Sequence, residues 1–386
     1  MTSTSADALE TLSTVVSNAL TLIDQLEPVV SGVATRTAQA AEELIGTKPL
    51  DALALAHDSA TLVKAHATKI SLLIINEPFT SSAITKVLRE LVGGPVPGLA
   101  AAAQVCTAER YTQVIRQDLS WKISRVLKEL KELLLRIPKD GKILADDKKT
   151  AGAGAVGGKG SIATTAVLWA ACDDLVAFAK RGFAGNLSYK ADQLRDTLRD
   201  VMEELKEWGE ETGDDEDDDD DDDDGEDDGV AAVTSGIESA SISSTQATQA
   251  MLDDFMNSQQ YIPRDDPDNI RDRLESCLKR LRLTTLLYQA AAKRRFKLLP
   301  HVPSTSETSV PGRLDEVFTI LKRIPDRFNN LAMAFYELDP TEIDQLMDQC
   351  FFDAFAVSEL LVKPWDGQKD EFTDWALRFQ VEIKKG

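Results

Sequence analysis

Asp214-Asp-Glu-Asp-Asp-Asp-Asp-Asp-Asp-Asp-Asp-Gly-Glu-Asp-Asp228 holds fourteen acidic side chains in fifteen positions. Like charges this dense cannot pack together or cover apolar surface, so the run predicts a solvated, disordered segment. Outward from it on both sides, apolar residues recur at steps of three and four, the period of an α-helix. No segment shows sustained period-two alternation with β-branched enrichment. The sequence therefore predicts an all-α protein of two antiparallel helical bundles, about five helices and then about four, separated by a disordered acidic linker. The predicted domains are 1–213, a linker over 214–245, and 246–386.

Charge is distributed unevenly. Of the net −22, the run supplies −14, residues 1–213 supply −3 and residues 229–386 supply −5. Both helical parts are thus near neutral. A flexible anionic appendage repels free nucleic acid and favours basic proteins as partners. Asp214, Asp215, Glu216, Asp217, Asp224, Glu226 and Asp228 stand for its binding capacity. Cys106, Cys172, Cys277 and Cys350 are far apart, which argues against a disulfide framework and for a reducing compartment. No uncharged apolar stretch of about eighteen residues predicts a membrane span. The N-terminus lacks the basic and apolar regions of a signal peptide. The expected address is cytoplasm and nucleus.

The stripes are regular. Leu9, Leu12, Val16, Ala19, Ile23 and Leu26 open the chain, and Pro28 predicts a kink or break. Leu53 to Ile74 forms the next stripe. Gly93 to Gly98 reads as a turn, followed by one long helix over Leu99–Ile137. After a Gly-Ala linker, Ser161 caps a helix whose stripe reads Ile162, Ala166, Trp169, Cys172 and Val176. Gly182–Gly185 reads as a loop, and Leu187 to Trp208 as the next stripe. Beyond the run come helices near 269–299, 314–335, 340–361 and 369–384. Pro325 predicts a kink, and Asp339-Pro340 a helix start.

Catalytic chemistry is not predicted. Gly152-Ala-Gly-Ala-Val-Gly157 has dinucleotide-loop spacing but no strand before it. Gly158-Lys159-Gly160 lacks the hydroxyl of a phosphate loop. Asp220, Asp222 and Asp224 imitate a calcium loop, yet the twelfth position is Ala231 rather than Glu. His57, His66 and His301 have no zinc spacing. No enzyme activity, cofactor or metal is expected. One basic feature stands out: residues 271–297 carry a net +7. Lys279, Arg280, Arg282, Lys293, Arg294 and Arg295 are its candidate contacts for acidic groups, either a partner's or those of the run. Lys293-Arg-Arg-Phe-Lys297 also reads as a nuclear import signal.

Five pieces, in this order, resemble the GCIP family of cyclin-D-binding proteins, described as helix-loop-helix proteins without a basic region. They are Thr165-Ala-Val-Leu-Trp-Ala-Ala-Cys172-Asp, Val201-Met-Glu-Glu-Leu205, Ser276-Cys-Leu-Lys-Arg-Leu-Arg282, Arg313-Leu-Asp-Glu-Val-Phe318 and Ile324-Pro-Asp-Arg-Phe-Asn-Asn-Leu-Ala332. The resemblance covers roughly residues 160–360, and earlier residues only by helical pattern. It implies a regulator of two helical bundles that binds D-type cyclins, signalling adaptors and helix-loop-helix factors and restrains cell-cycle progression. The helix-loop-helix segment maps onto Ile162–Trp208, with Trp169, Leu175, Leu194 and Leu198 as candidate partner contacts. Direct DNA binding is not expected, because only sparse lysines mixed with Asp146 and Asp147 precede it. Other readings of the residues are an acidic chaperone for basic proteins and a vinculin-like cytoskeletal scaffold.

Overall fold

The computed structural model describes residues 2–35, 50–146, 149, 160–210, 261–301, 303, 309–365 and 369–385. These residues are helical and include no strand. The acidic run and the Gly152–Gly157 and Lys159 motifs lie outside them.

Among the described residues, six helices precede the run. They are α1 (Thr2–Thr35), α2 (Ala52–Ile75), α3 (Ser81–Gly93), α4 (Pro95–Val105), α5 (Ala108–Leu135) and α6 (Ser161–Glu210). Four follow it: α7 (Ile270–Arg294), α8 (Ser309–Tyr336), α9 (Pro340–Val362) and α10 (Glu371–Glu382). Local chemistry sets their starts. The Asp51 carboxylate accepts from the Leu53 and Ala54 amides at the head of α2. Asp339 caps α9 with Pro340 in its first turn, as the Asp-Pro pair predicts. Asp370 caps α10 through the Thr373 amide.

Several boundaries differ from expectation. Pro28 lies inside α1, so the break that it allowed does not occur, and Pro325 lies inside α8, where only a kink is expected. The expected turn at Gly93–Gly98 shrinks to Gly94, because Pro95 takes the first position of α4, where its missing N–H costs nothing. The expected helix Leu99–Ile137 is divided at Cys106–Thr107, where both residues leave helical geometry.

The chain forms two compact units. The first comprises Met1–Lys190 with Lys293–Phe318, and the second Ala191–Ala292 with Thr319–Gly386. The division therefore falls within α6 rather than at residue 213. The reason is side-chain burial. Leu198, Leu205 and Trp208 are core residues, and the Trp208 ring meets Phe335 at 6.2 Å and Tyr336 at 5.3 Å. Tyr336 also donates to Glu204 at 3.0 Å.

In the first unit, α1 packs on α3, α4 and α5, and α2 on α3, α4 and α5. Leu53, Ala56, Ala60, Val63, Ala67, Ile70 and Ile74 of α2 are all buried, as their spacing predicts. Two helices here are broken and continue. Thr112 takes φ 73° inside α5, and Gly182 takes φ 69° inside α6. The expected loop over Gly182–Gly185 is thus a break at Gly182. The freed amides beyond both breaks bond to the segment 293–318. Asp315 accepts from Gln113 at 2.8 Å and from Val114 at 3.4 Å, and the His301 carbonyl accepts from Phe183 at 3.0 Å. Tyr111 and Phe183 meet edge to face at 6.4 Å. These contacts account for the inclusion of 293–318 in this unit.

In the second unit, α8 buries Leu321, Ile324, Phe328, Leu331 and Phe335 along one stripe, and α9 packs on α10. Asp353 of α9 is buried between two guanidiniums of α8. Arg323 holds both carboxylate oxygens at 2.6 and 2.9 Å, and Arg327 adds a contact at 2.8 Å.

Candidate protein-interaction face

The first half of α6 is apolar nearly all the way round. Among the described residues, α6 is the one helix long and apolar enough to cross a membrane, and 44% of its apolar window is buried within the protein. Its buried face is Thr164, Thr165, Leu168, Ala171, Cys172, Leu175 and Phe178. Ile162, Ala166 and Trp169 of the predicted stripe point outward, Trp169 being one of the candidate partner contacts, whereas Cys172 of the same stripe is buried. Both faces have helical spacing, so periodicity does not choose between them. Hydrogen bonding does: Thr165 pairs with the buried Ser71 hydroxyl at 2.9 Å.

Two helices flank this outward face. On one side, α2 runs antiparallel to α6. Thr165 meets Ser71, the Trp169 indole donates to the Thr68 hydroxyl at 3.0 Å, and Lys64 holds Asp173 at 2.6 Å. On the other side lies α5, where Lys122 holds Asp174 at 2.6 Å and its ammonium sits over the Phe178 ring. The Trp121 ring stands beside Lys122 and Arg125. These contacts fix three neighbouring helices with α6 in the middle.

The exposed side chains on this face are mostly apolar. Leu72 of α2, Trp121 of α5, and Ile162 and Trp169 of α6 are between 37% and 61% exposed. Ala166, Ala170 and Ala177 lie between them on α6 and are exposed too. Alanines keep the middle low while the tryptophans stand at the sides, so the face is a shallow trough, apolar except where the Lys64–Asp173 pair crosses it. The indole N–H of Trp169 is already bonded, which fixes its ring with the apolar face free. Contiguous exposed apolar surface of this kind marks an interaction site more often than a solvated face.

The other candidate residues separate clearly. Leu175 and Leu198 are fully buried, and Leu194 is half-buried. The expectation that Leu175 and Leu198 meet a partner is therefore corrected: they hold their own units together. Lys279 and Arg282 are exposed in the second unit. Arg280 is not a free surface charge, since its guanidinium lies 3.9 Å from the Phe351 ring centroid and its Nε donates to the Ile383 carbonyl. Lys293 and Arg294 are exposed in the first unit, whereas Arg295 is buried. The basic stretch is thus not one continuous face. The acidic residues Asp214 to Asp228 lie outside the described residues.

Sequence reading missed Trp121 and Leu72. Trp121 stands two residues beyond Leu119, nearly opposite it on the helix, and a tryptophan off the core stripe is the signal that finds it. Cys172 is buried, and burial pushes its thiol up to about 12, so this face offers no thiolate. No group of three or more His, Cys, Asp or Glu among the described residues could hold a metal ion.

Residues 56–211 match the family model described as Grap2 and cyclin-D-interacting, N-terminal. This is the family that the five pieces resemble, but the extent differs. The match takes in α2 to α6 and the first two pieces, and the remaining three lie beyond it. A stretch of 134 residues is 30% identical to an uncharacterized protein of Schizosaccharomyces pombe, covering 34% of this chain. The chain matches 37% of that relative's length. Every residue of the outward face lies within 56–211.

Proposed function

We propose that this chain, whose residues 56–211 carry a Grap2 and cyclin-D-interacting N-terminal domain, works by protein–protein contact through the outward face of α2, α5 and α6. The observation that carries the reading is the exposed Ile162–Ala166–Trp169 stripe. It is apolar, it lies inside the matched domain, and the fold does not use it as core. The family description names cyclin D, which makes a D-type cyclin the proposed partner, and restraint of cell-cycle progression is the outcome that the resemblance implies. Signalling adaptors and helix-loop-helix factors are further candidate partners, and cytoplasm and nucleus the proposed location. Burial of Leu175 in the core supports the outer face of α6, rather than its other face, as the contact surface.

Calorimetric titration of the full chain with a purified D-type cyclin tests this. Saturable binding is expected, and replacing Ile162 and Trp169 with Ser should weaken it by about thirtyfold, the scale of losing one hot-spot side chain. Both residues are exposed, so the melting temperature should barely move. Absence of binding, or binding that ignores the substitution, counts against the reading.

A further inference from the structure

Two helices of the first unit are broken side by side, and one segment of chain reaches both breaks. Thr112 takes φ 73° and ψ 153° inside α5, and Gly182 takes φ 69° and ψ −175° inside α6. That region is open essentially to glycine alone, so a β-branched threonine there is strained. Tyr111 and Phe183 meet edge to face, so the breaks adjoin. The break in α6 has glycine and a brace of its own, since the Asn186 amide donates to the Phe178 and Gly182 carbonyls at 2.8 Å. His301 adds to it, with its imidazole where a Cβ on Gly182 would stand. The break in α5 is held by anchors on either side. Before it, the Tyr111 hydroxyl accepts from the Ala52 amide at 3.0 Å and donates to Asp51 at 3.1 Å. After it, Asp315 takes the Gln113 amide on both carboxylate oxygens, at 2.8 and 2.9 Å. Its own cap is weak: the Thr112 hydroxyl accepts from Ile115 at 3.3 Å.

We propose that the segment 293–318 is a clasp: Asp315 holds α5 in its broken form, and withdrawal of Asp315 lets Thr112 return to helical geometry and moves Trp121 on the outward face. A strained residue persists only while its surroundings over-determine it, so the anchored break has two states, and Asp315 is the anchor that can leave. Tyr111 is fully buried and fixed to the start of α2, whereas Asp315 comes from chain beyond the matched residues 56–211. The chain enters the clasp from the second unit after Ala292 and returns to that unit at Thr319. Asp315 stands near the start of α8, whose later residues Leu321 to Phe335 form second-unit core. A change in the second unit that shifts α8 therefore reaches α5 through the chain itself. Trp121 lies on the restarted part of α5, so the shape of the outward face depends on the clasp. The consequence for partner binding rests on the reading of that face as a protein-binding surface, whereas the clasp itself does not.

The test uses the full chain labelled with fluorotryptophan, which gives one fluorine NMR signal each for Trp121, Trp169, Trp208, Trp365 and Trp375. Trp121→Phe identifies the first. Asp315→Ala should shift the Trp121 signal or split it in two, with Trp208 unmoved. Adding Thr112→Gly should return the Trp121 signal to its wild-type position, because glycine keeps the broken form without strain. If collapse of the signals shows that Asp315→Ala does not fold, Asp315→Asn, which keeps one oxygen acceptor, is measured in its place. A Trp121 signal that ignores the Asp315 substitution overturns the proposal. So does a shift that Thr112→Gly leaves in place, because the released strain is then not at Thr112. Titration of the same variants with a D-type cyclin should show binding at least about tenfold weaker for Asp315→Ala and recovered with Thr112→Gly. Unchanged affinity beside a shifted Trp121 signal overturns the link between clasp and face. If the wild-type chain binds no D-type cyclin, the assignment of the partner falls, and the Trp121 signal still decides the clasp.

Discussion

Asp353→Ala is expected to destabilise the second unit by about 3–5 kcal/mol, the cost of removing one partner from a buried ion pair. The carboxylate has almost no solvent contact and accepts from two guanidiniums, with Arg323 gripping both oxygens. Its removal leaves Arg323 and Arg327 side by side with no counter-charge between them. Arg323 is 45% exposed and can turn part of its charge to water, which puts the loss toward the lower end of that range. Denaturant unfolding of the full chain carrying Trp121→Phe and Trp169→Phe, so that the fluorescence comes from Trp208, Trp365 and Trp375 of the second unit, measures it. A shift below about 1 kcal/mol would mean that the pair is no more than a surface contact.

Leu198→Asp should do more. Leu198 is fully buried, and Trp208 and Leu205 continue its stripe in the same unit. Removing the leucine side chain alone costs about 2–5 kcal/mol, and an unpaired carboxylate in its place adds a desolvation penalty or forces protonation. The expected result is loss of the cooperative transition of the second unit at neutral pH, with partial recovery in acid as the carboxyl protonates. Ile162→Asp on the same helix, at an exposed position, should change stability by less than about 1 kcal/mol. If both substitutions have the same small effect, α6 is not oriented as described. The contrast matters because both residues belong to regular apolar stripes.

That contrast also marks where sequence reading succeeded and where it stopped. Helix existence was legible wherever apolar spacing had a polar opposite face, as in Leu53–Ile74 and Leu314–Phe335. It failed to orient the first half of α6, because Ile162, Ala166 and Trp169 compete with Thr164, Leu168 and Leu175 at the same period. Only the neighbours of Thr165 and Trp169 decide which set is inside, and neighbours are tertiary facts. The interruption at Gly182 was legible as a loop over Gly182–Gly185, whereas the break at Thr112 was hidden for a similar reason. Its freed amides are bonded from Asp315, more than a hundred residues away in sequence. The basic stretch 271–297 shows the opposite limit: composition counted charges that packing then placed in different settings, Arg280 on an aromatic ring and Arg295 inside the core.

The outward face of α2, α5 and α6 is the central claim, and hydroxyl-radical footprinting of the full chain with and without a bound D-type cyclin tests it most directly. The method reads side-chain exposure, and the face carries strongly reactive probes in Trp121 and Trp169 beside Leu72 and Ile162. The account predicts that oxidation of these four residues falls on complex formation while exposed Phe352 and Met333 of the second unit are unchanged. Protection of Phe352 and Met333 with Trp121 and Trp169 still fully oxidised would contradict it.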